Sequence, residues 1–152
     1  VHSEVGYNYR MSNVLAGIAR GQLQVLEERV AQRRAVAFRY RDAFADVPGI
    51  EFMPQAPWGR HTNWLSCFLI NSERFGMGQA ELIRFLDEAN IESRAVWKPM
   101  HTQPLYRGYE CVGGEVAEDL NRRGICLPSS SSLTEEEQAF VIDRVKAAAK
   151  KG

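Results

Sequence analysis

Two polar side chains with complementary chemistry stand just before the first helical pattern of the chain. Asn8 carries an amide that can both donate and accept hydrogen bonds, and Arg10 carries a planar guanidinium that matches the shape of a phosphate. Both belong to the segment GYNYRMSN at 6–13. Helix N-termini present free N–H groups and the positive end of the dipole, so anions bind there. The segment predicts a phosphate-facing element; the alternative is a helix-start turn with a surface ion pair.

A second group of side chains suited to recognition lies within thirteen residues near the middle of the chain. Its members are Arg94, Trp97, Lys98, His101 and Tyr106. An indole can cover the face of a sugar or a base, a histidine can hydrogen-bond a phosphate or hydroxyl, and the cations supply charge. The group predicts a ligand-binding loop; the alternative is a packed aromatic loop with a satisfied histidine.

Composition narrows the class of protein. The chain has 152 residues, 45% hydrophobic and 25% charged, which is typical of a globular domain with a sizeable core. Its formal net charge of zero argues against nucleic acid or an anionic membrane as the main partner. No apolar run approaches the roughly 20 residues of a membrane helix. The start at Val1, not Met, is expected of a piece of a longer protein.

Cysteine usage does not predict a metal centre. Cys67, Cys111 and Cys126 are widely spaced and contain no C-x-x-C pair, so neither a zinc site nor a redox motif is predicted. Cys67 and Cys126 lie in apolar, strand-like runs and are predicted core residues, as expected in a reducing cytosol. No acidic residue stands at a ligand spacing from His101, so no metal site is predicted there.

The stretch from Ser12 to about Phe44 is predicted to be one long amphipathic helix. It has no proline and two glycines, and Ser12 or Asn13 suits its N-cap. Apolar residues recur at three- and four-residue steps. Such a helix would span roughly 50 Å, so it should protrude from a small domain unless other protein covers it. Its charged part, 27–41, is predicted to be a solvated face.

Beyond Pro48 the chain alternates between short strands and helices. Predicted strands are 49–53, 64–70, 91–97 and 124–127; predicted helices are 79–89, 115–123 and a last helix opened by a capping-box pattern at 134–137. Residues 99–114 are a long loop. The lone G-x-G at 76–78 lacks a third glycine and predicts a helix-start turn, not a phosphate loop. This order predicts an α/β (α+β) fold, a small sheet with packed helices.

Three segments also resemble one family when taken in order. Residues 6–13 followed by GQL at 21–23, RAVWKPMHTQP at 94–104, and CLPS at 126–129 resemble the DegT/DnrJ/EryC1/StrS family of pyridoxal phosphate-dependent nucleotide-sugar aminotransferases. The resemblance covers nearly the whole chain, but only the C-terminal part of such an enzyme. It implies the C-terminal small domain of a fold-type-I aminotransferase.

The resemblance implies a division of the chain and roles for particular residues. Residues 1–45 would be the motif loop and a long interdomain helix, and 46–152 a small C-terminal α/β domain. In a homodimer, Asn8 would reach the cofactor phosphate of the neighbouring subunit. Arg10 would approach the pyrophosphate of the sugar nucleotide or the phosphate end of the pocket. The other substrate-binding residues implied are Arg94, Trp97, His101 and Tyr106.

The reaction implied is transfer of an amino group from glutamate to a keto nucleotide sugar. The WKPMH and CLPS segments are most similar to the branch that acts on UDP-linked 4-keto-6-deoxy sugars for surface polysaccharide or protein glycosylation. The expected location is the cytoplasm. The alternative is a non-catalytic module that binds nucleotide sugars or dimerises.

No catalytic residue is predicted within this chain. The chemistry needs a lysine that bonds the cofactor, and in the family this lysine and the acid that assists it lie upstream of the first motif. Lys98 stands directly before Pro99 in a segment that the family uses to bind substrate, so it is not predicted to be the catalytic lysine. The other lysines, Lys146, Lys150 and Lys151, suit a charged helix end. The chain alone is predicted not to transaminate.

Overall fold

A computed structural model describes residues 6–149. Residues 1–5 and 150–152, which include Val1, Lys150 and Lys151 of the predictions above, lie outside the described residues.

The predicted long helix is two helices, which corrects the prediction of one. Helix α1 spans Asn13–Gln24 and α2 spans Leu26–Ala43. The Ser12 Oγ accepts the N–H of Leu15 at 3.3 Å, so Ser12 is the N-cap. The helical ladder breaks at Val25, because its N–H donates to the carbonyl of Gln22, three residues back, at 3.3 Å. A bond of this type is common at helix ends.

Up to residue 149, where the described part of the chain ends, four helices and four strands follow, with two single 3₁₀ turns at Met100–Thr102 and Pro104–Tyr106. The helices are α3 Ser72–Phe75, α4 Gln79–Asp87, α5 Glu115–Arg123 and α6 Glu135–Ala149. The strands are β1 Ile50–Phe52, β2 Ser66–Ile70, β3 Arg94–Ala95 and β4 Gly124–Leu127. All neighbouring strands are antiparallel, in the order β1-β2-β4-β3. The predicted α/β class, a small sheet with packed helices, is confirmed.

The strand predicted at 91–97 is the largest disagreement after the helix break. Only Arg94–Ala95 pairs in register with β4, and the Val96 N–H adds one hydrogen bond to the Gly124 carbonyl at 3.0 Å. Ile91 is instead buried, and its N–H donates to the carbonyl of Leu86 at 3.0 Å, closing the end of α4. At the other end Trp97 leaves the sheet and Pro99 has no N–H to pair. The strand is short because Ile91 completes the end of α4 on one side, and Trp97 stacks on Trp64 on the other.

Other boundaries differ by smaller amounts. The strands predicted at 49–53 and 64–70 are shorter, the helix predicted at 79–89 ends at Asp87, and 115–123 and 124–127 match. Helix α3 was not predicted, since four residues are too few for a periodic pattern; Asn71 caps its start and Gly76, with φ of 96°, ends it. The predicted helix-start turn is confirmed, because the Gly78 N–H donates to the Glu81 carboxylate at 2.8 Å.

The two faces of the sheet have different surroundings. Phe68 and Ile70 of β2, with Ile125 and Leu127 of β4, belong to the buried core together with α2, α4 and α6. The alternate residues of β2, Cys67 and Leu69, are only half-buried and lie towards α5. This second face is the one that carries the candidate site.

The charged stretch 27–41 is only partly a solvated face, which corrects that prediction. Val36 and Tyr40 are buried in the core. Arg33 donates to the backbone carbonyls of Trp64 and Ser129, at 2.7 and 2.9 Å. Helix α2 therefore positions two loops that border the second face of the sheet. Within residues 6–149, no helix combines the length and apolar character needed to cross a bilayer.

The capping box predicted at 134–137 is present. The Thr134 N–H donates to the Glu137 carboxylate at 2.9 Å, and the Glu137 N–H donates to the Thr134 Oγ1 at 3.2 Å. Thr134→Ala is expected to lower the free energy of unfolding by about 1 kcal/mol, because it leaves a helix N–H without its side-chain acceptor. Urea denaturation followed by circular dichroism measures the change. Thr62→Ala, at an exposed loop position, is the matched control; equal losses would contradict the capping role.

Candidate functional site

The first motif segment presents its side chains outward. Tyr7 and Tyr9 are 78% and 92% exposed, with ring centroids 6.0 Å apart. The Asn8 Oδ1 accepts the N–H of Arg10 at 2.9 Å, so a local turn fixes the amide. Among residues 6–149, neither the Asn8 side-chain NH₂ nor the Arg10 guanidinium has a hydrogen-bond partner. These groups remain free to bind an anion.

Helix α1 continues this exposed surface. Val14, Leu15, Ile18 and Leu23 are 72%, 57%, 58% and 67% exposed, and no residue of α1 is buried. Several large apolar side chains this exposed on one helix are typical of a surface that contacts other protein.

A cavity of about 520 Å³ lies over the second face of the sheet, within the usual size range of ligand sites. Its lining brings two of the family-like segments together: Arg94, Ala95 and Trp97 from the second, and Cys126–Ser129 from the third. Trp97 stacks on Trp64, with ring centroids 6.0 Å apart and planes inclined by 30°. Both indoles stay more than half exposed, so they form a platform open to a planar ligand.

The polar groups of this cavity are few. The Arg94 Nε donates to the Glu92 carboxylate at 2.8 Å, and Nη2 contacts the same oxygen. Both side chains are largely exposed, so this ion pair is weak and a phosphate can replace Glu92. The Ser93 Oγ, in the same wall, has no partner among the described residues. The Ser129 Oγ accepts the Ser66 N–H at 2.8 Å and donates to the Leu127 carbonyl at 2.7 Å.

The remaining predicted site residues lie elsewhere in the loop. The His101 Nε2 lies 2.9 Å from a Glu118 carboxylate oxygen on α5, which satisfies that nitrogen. Tyr106 is 38% exposed, with its ring 6.4 Å from that of Tyr109. Lys98 lies at a separate cavity beside α5. The structure thus brings Arg94 and Trp97 into one cavity and leaves His101, Tyr106 and Lys98 outside its lining.

Trp64 is the site residue that sequence reasoning missed. It was predicted to start a strand, yet β2 begins two residues later. The loop places its indole on Trp97, and the only sequence signal was a large aromatic beside a loop rich in polar residues.

Two free thiols lie under this face. The Sγ atoms of Cys67 and Cys126 are 3.5 Å apart, and all three cysteines of the chain are free. Cys126 is buried, as predicted, whereas Cys67 is half-buried. Within residues 6–149, no group of three or more histidine, cysteine, aspartate or glutamate side chains is placed to hold a metal ion.

The described residues fit one end of a pyridoxal phosphate molecule. Asn8 and Arg10 have free donors next to the N-terminus of α1, which suits the phosphate. The reactive end requires a lysine in desolvated or cation-rich surroundings, whereas Lys98 is exposed and lines a cavity with Glu115, Glu118 and Asp119 as well as Arg122. The fit is to the phosphate group alone.

Comparison with solved structures defines the class. The crystal structure of the aminotransferase TlmJ from Streptoalloteichus hindustanus matches with a TM-score of 0.80 and 25% identity, covering 91% of this chain and 36% of TlmJ. The fold is therefore one part of an aminotransferase fold.

The chain belongs to the DegT/DnrJ/EryC1/StrS aminotransferase family, whose model matches residues 1–146. It is 45% identical over 147 residues to EpsN of Bacillus subtilis (strain 168), which is named as a pyridoxal phosphate-dependent aminotransferase. It is 35% identical over 145 residues to the GDP-perosamine synthase of Caulobacter vibrioides. These matches cover 93% and 95% of this chain, but only 37% and 38% of the relatives. The predicted resemblance is confirmed, and the family uses pyridoxal phosphate.

Proposed function

We propose that this chain is the substrate-facing part of an aminotransferase that moves an amino group from glutamate to a keto nucleotide sugar. The sugar we propose is a UDP-linked 4-keto-6-deoxy sugar destined for a glycan or polysaccharide. The observation that carries the proposal is that the second and third family-like segments line one cavity, with a two-indole platform beside Arg94. The names of relatives such as GDP-perosamine synthase support a sugar substrate.

Each proposed residue has a part set by its chemistry. Trp97, supported by Trp64, stacks on the nucleotide base, because every base offers a π-face to an aromatic ring. Arg94 exchanges Glu92 for the pyrophosphate, which a guanidinium binds with two parallel hydrogen bonds. His101 and Tyr106, on the neighbouring loop, contact the sugar.

Cofactor and assembly belong to the first segment. Asn8 holds the phosphate of the cofactor in a neighbouring subunit, and Arg10 adds charge at the phosphate end of the pocket. Bound pyridoxal phosphate supplies the electron sink that makes amino-group transfer possible. The proposal includes a homodimer, supported by the exposed apolar residues of α1. It also includes the division into a motif loop with a long helical connection at 1–45 and a small domain at 46–152.

The proposed setting is the cytoplasm, where thiols stay reduced; three free cysteines agree with it. The reactive lysine is proposed to lie outside this chain. A non-catalytic module that binds nucleotide sugars or dimerises is the second candidate, favoured by the exposed apolar residues of α1, which suit an interface.

Trp97→Ala is expected to weaken binding of UDP-glucose by about tenfold, because aromatic–base stacking contributes ~1–3 kcal/mol. Isothermal titration calorimetry on the chain measures the dissociation constant. Trp58→Ala is the matched control, since Trp58 is 89% exposed and does not line this cavity.

Two outcomes would overturn parts of the proposal. Equal affinity of the Trp97 variant and the unmodified chain would remove the base-stacking role. Tighter binding of GDP-mannose than of UDP-glucose would overturn the choice of UDP.

A further inference from the structure

We propose that Cys67 and Cys126 form a reversible cross-strand disulfide, making this pair a site of oxidative modification on the site-bearing face of the sheet. The inference concerns a modification and does not rest on the proposed function.

Backbone register brings the two cysteines together. Cys67 of β2 and Cys126 of β4 are direct partners in an antiparallel ladder. Residues opposite each other in such a ladder have Cα atoms about 4.5–5.5 Å apart, within the ~4.4–6.8 Å range of natural disulfides. The Sγ atoms are already 3.5 Å apart, so bond formation needs a side-chain adjustment and no new strand pairing.

Both thiols border cavities that can admit a small oxidant. Cys126 lines the cavity that holds Trp64 and Trp97. Cys67 lines a neighbouring one of about 530 Å³ beside Phe52, Val96 and Leu120. The pair therefore lies next to open cavities. The main core lies on the opposite face of the sheet and does not cover it.

The contact between the thiols makes them chemically unequal. The hydrogen bond from Cys67 lowers the pKa of the Cys126 thiol, against the opposing effect of burial. The same contact raises the pKa of the Cys67 thiol, and burial raises it further as the second-largest cause. The thiolate is the nucleophile in thiol oxidation. Cys126, which also lines the open cavity, therefore attacks the oxidant first, and Cys67 resolves the product.

The oxidant is a hydroperoxide, and the step balances with hydrogen peroxide. The Cys126 thiolate attacks one peroxide oxygen, the O–O bond breaks, and a sulfenic acid and hydroxide form. The Cys67 sulfur then attacks the Cys126 sulfur; the S–S bond forms, the S–O bond breaks, and water leaves. Two thiols lose two electrons and two protons in total, and one peroxide becomes two waters. A dithiol such as dithiothreitol reverses the change by thiol–disulfide exchange.

The experiment treats the folded 152-residue chain with hydrogen peroxide, blocks remaining thiols with N-ethylmaleimide, and maps peptides by mass spectrometry. The expected product has one internal bond joining the Cys67 and Cys126 peptides, while Cys111 is alkylated in the same sample. Cys111 is exposed and has no cysteine partner, so it is an internal control. Dithiothreitol is expected to restore alkylation at all three cysteines.

Variants sharpen the assignment. Cys111→Ser is expected to form the same disulfide in full yield. Cys67→Ala should stop at the sulfenic acid of Cys126, detected with dimedone. Because mapping of the unmodified chain decides the question alone, poor folding of a variant does not weaken the test. Failure to link the pair, separate overoxidation of the two sulfurs, or a bond that involves Cys111 would each overturn the proposal.

Discussion

Supplied with pyridoxal phosphate, glutamate and a keto nucleotide sugar, the 152-residue chain is expected to yield no amino sugar. Of the two lysines that the structure describes, Lys98 is exposed beside the carboxylates of Glu115 and Glu118. Lys146 lies on α6, in the last turns of that helix. A lysine nucleophile is activated by desolvation or by a neighbouring cation. Lys98 is exposed, and the cation in the same cavity lining, Arg122, is already paired with Asp119. Product analysis by mass spectrometry measures turnover.

A second readout separates lack of chemistry from lack of binding. Borohydride treatment followed by intact mass is expected to show no pyridoxyl group attached to the chain. Turnover together with a group fixed on Lys98, both lost in Lys98→Arg, would show that the reactive amine lies within this chain. That result would overturn the proposed division of labour while leaving family membership untouched.

Replacing Phe68 by alanine is expected to lower the free energy of unfolding by about 3–5 kcal/mol. Phe68 is only 2% exposed, and its ring lies 5.4 Å from that of Phe44 and 5.2 Å from that of Phe52. Truncation removes these contacts and leaves a cavity that the surrounding α2 and β1 cannot fill without moving. Denaturation in urea, followed by circular dichroism, gives the loss.

The matched control for this substitution is Phe140→Ala. Phe140 lies on α6 and is 49% exposed, with the Arg144 guanidinium 5.6 Å from its ring centre. A loss of about 1 kcal/mol or less is expected there, as for most surface substitutions. Similar losses for both variants would contradict the placement of Phe68 at the centre of the core.

Elements with strong local signals were predictable from the sequence. Helix 115–123 and the capping box at 134–137 match, because helix periodicity and capping are properties of neighbouring residues. The strand at 91–97 failed for the opposite reason. Ile91 is apolar enough for a strand, but its N–H closes helix α4, a contact that local composition does not encode.

Candidate site residues divide in the same way. Arg94 and Trp97 were predicted as members of one ligand site, and they line one cavity. His101, assigned to the same site, lies against Glu118 instead. For the Nε2 atom of His101, the alternative of a histidine with its hydrogen bond satisfied applies. The proposed contact of His101 with the sugar remains a prediction. Trp64 was missed because its partner, Trp97, lies far along the chain.

By itself, the sequence determined the family, the order of most elements and the separation of the segment at 6–13 from the loop at 94–106. These depend on short motifs and on periodicities within single elements. The tertiary structure decided which side chains meet: the stacking of Trp64 on Trp97, and the contact of Cys67 with Cys126, 59 residues apart. Such pairs are set by strand register and by the tethering of loops to α2. Each of these depends on the packing of the whole core and not on any one stretch of chain.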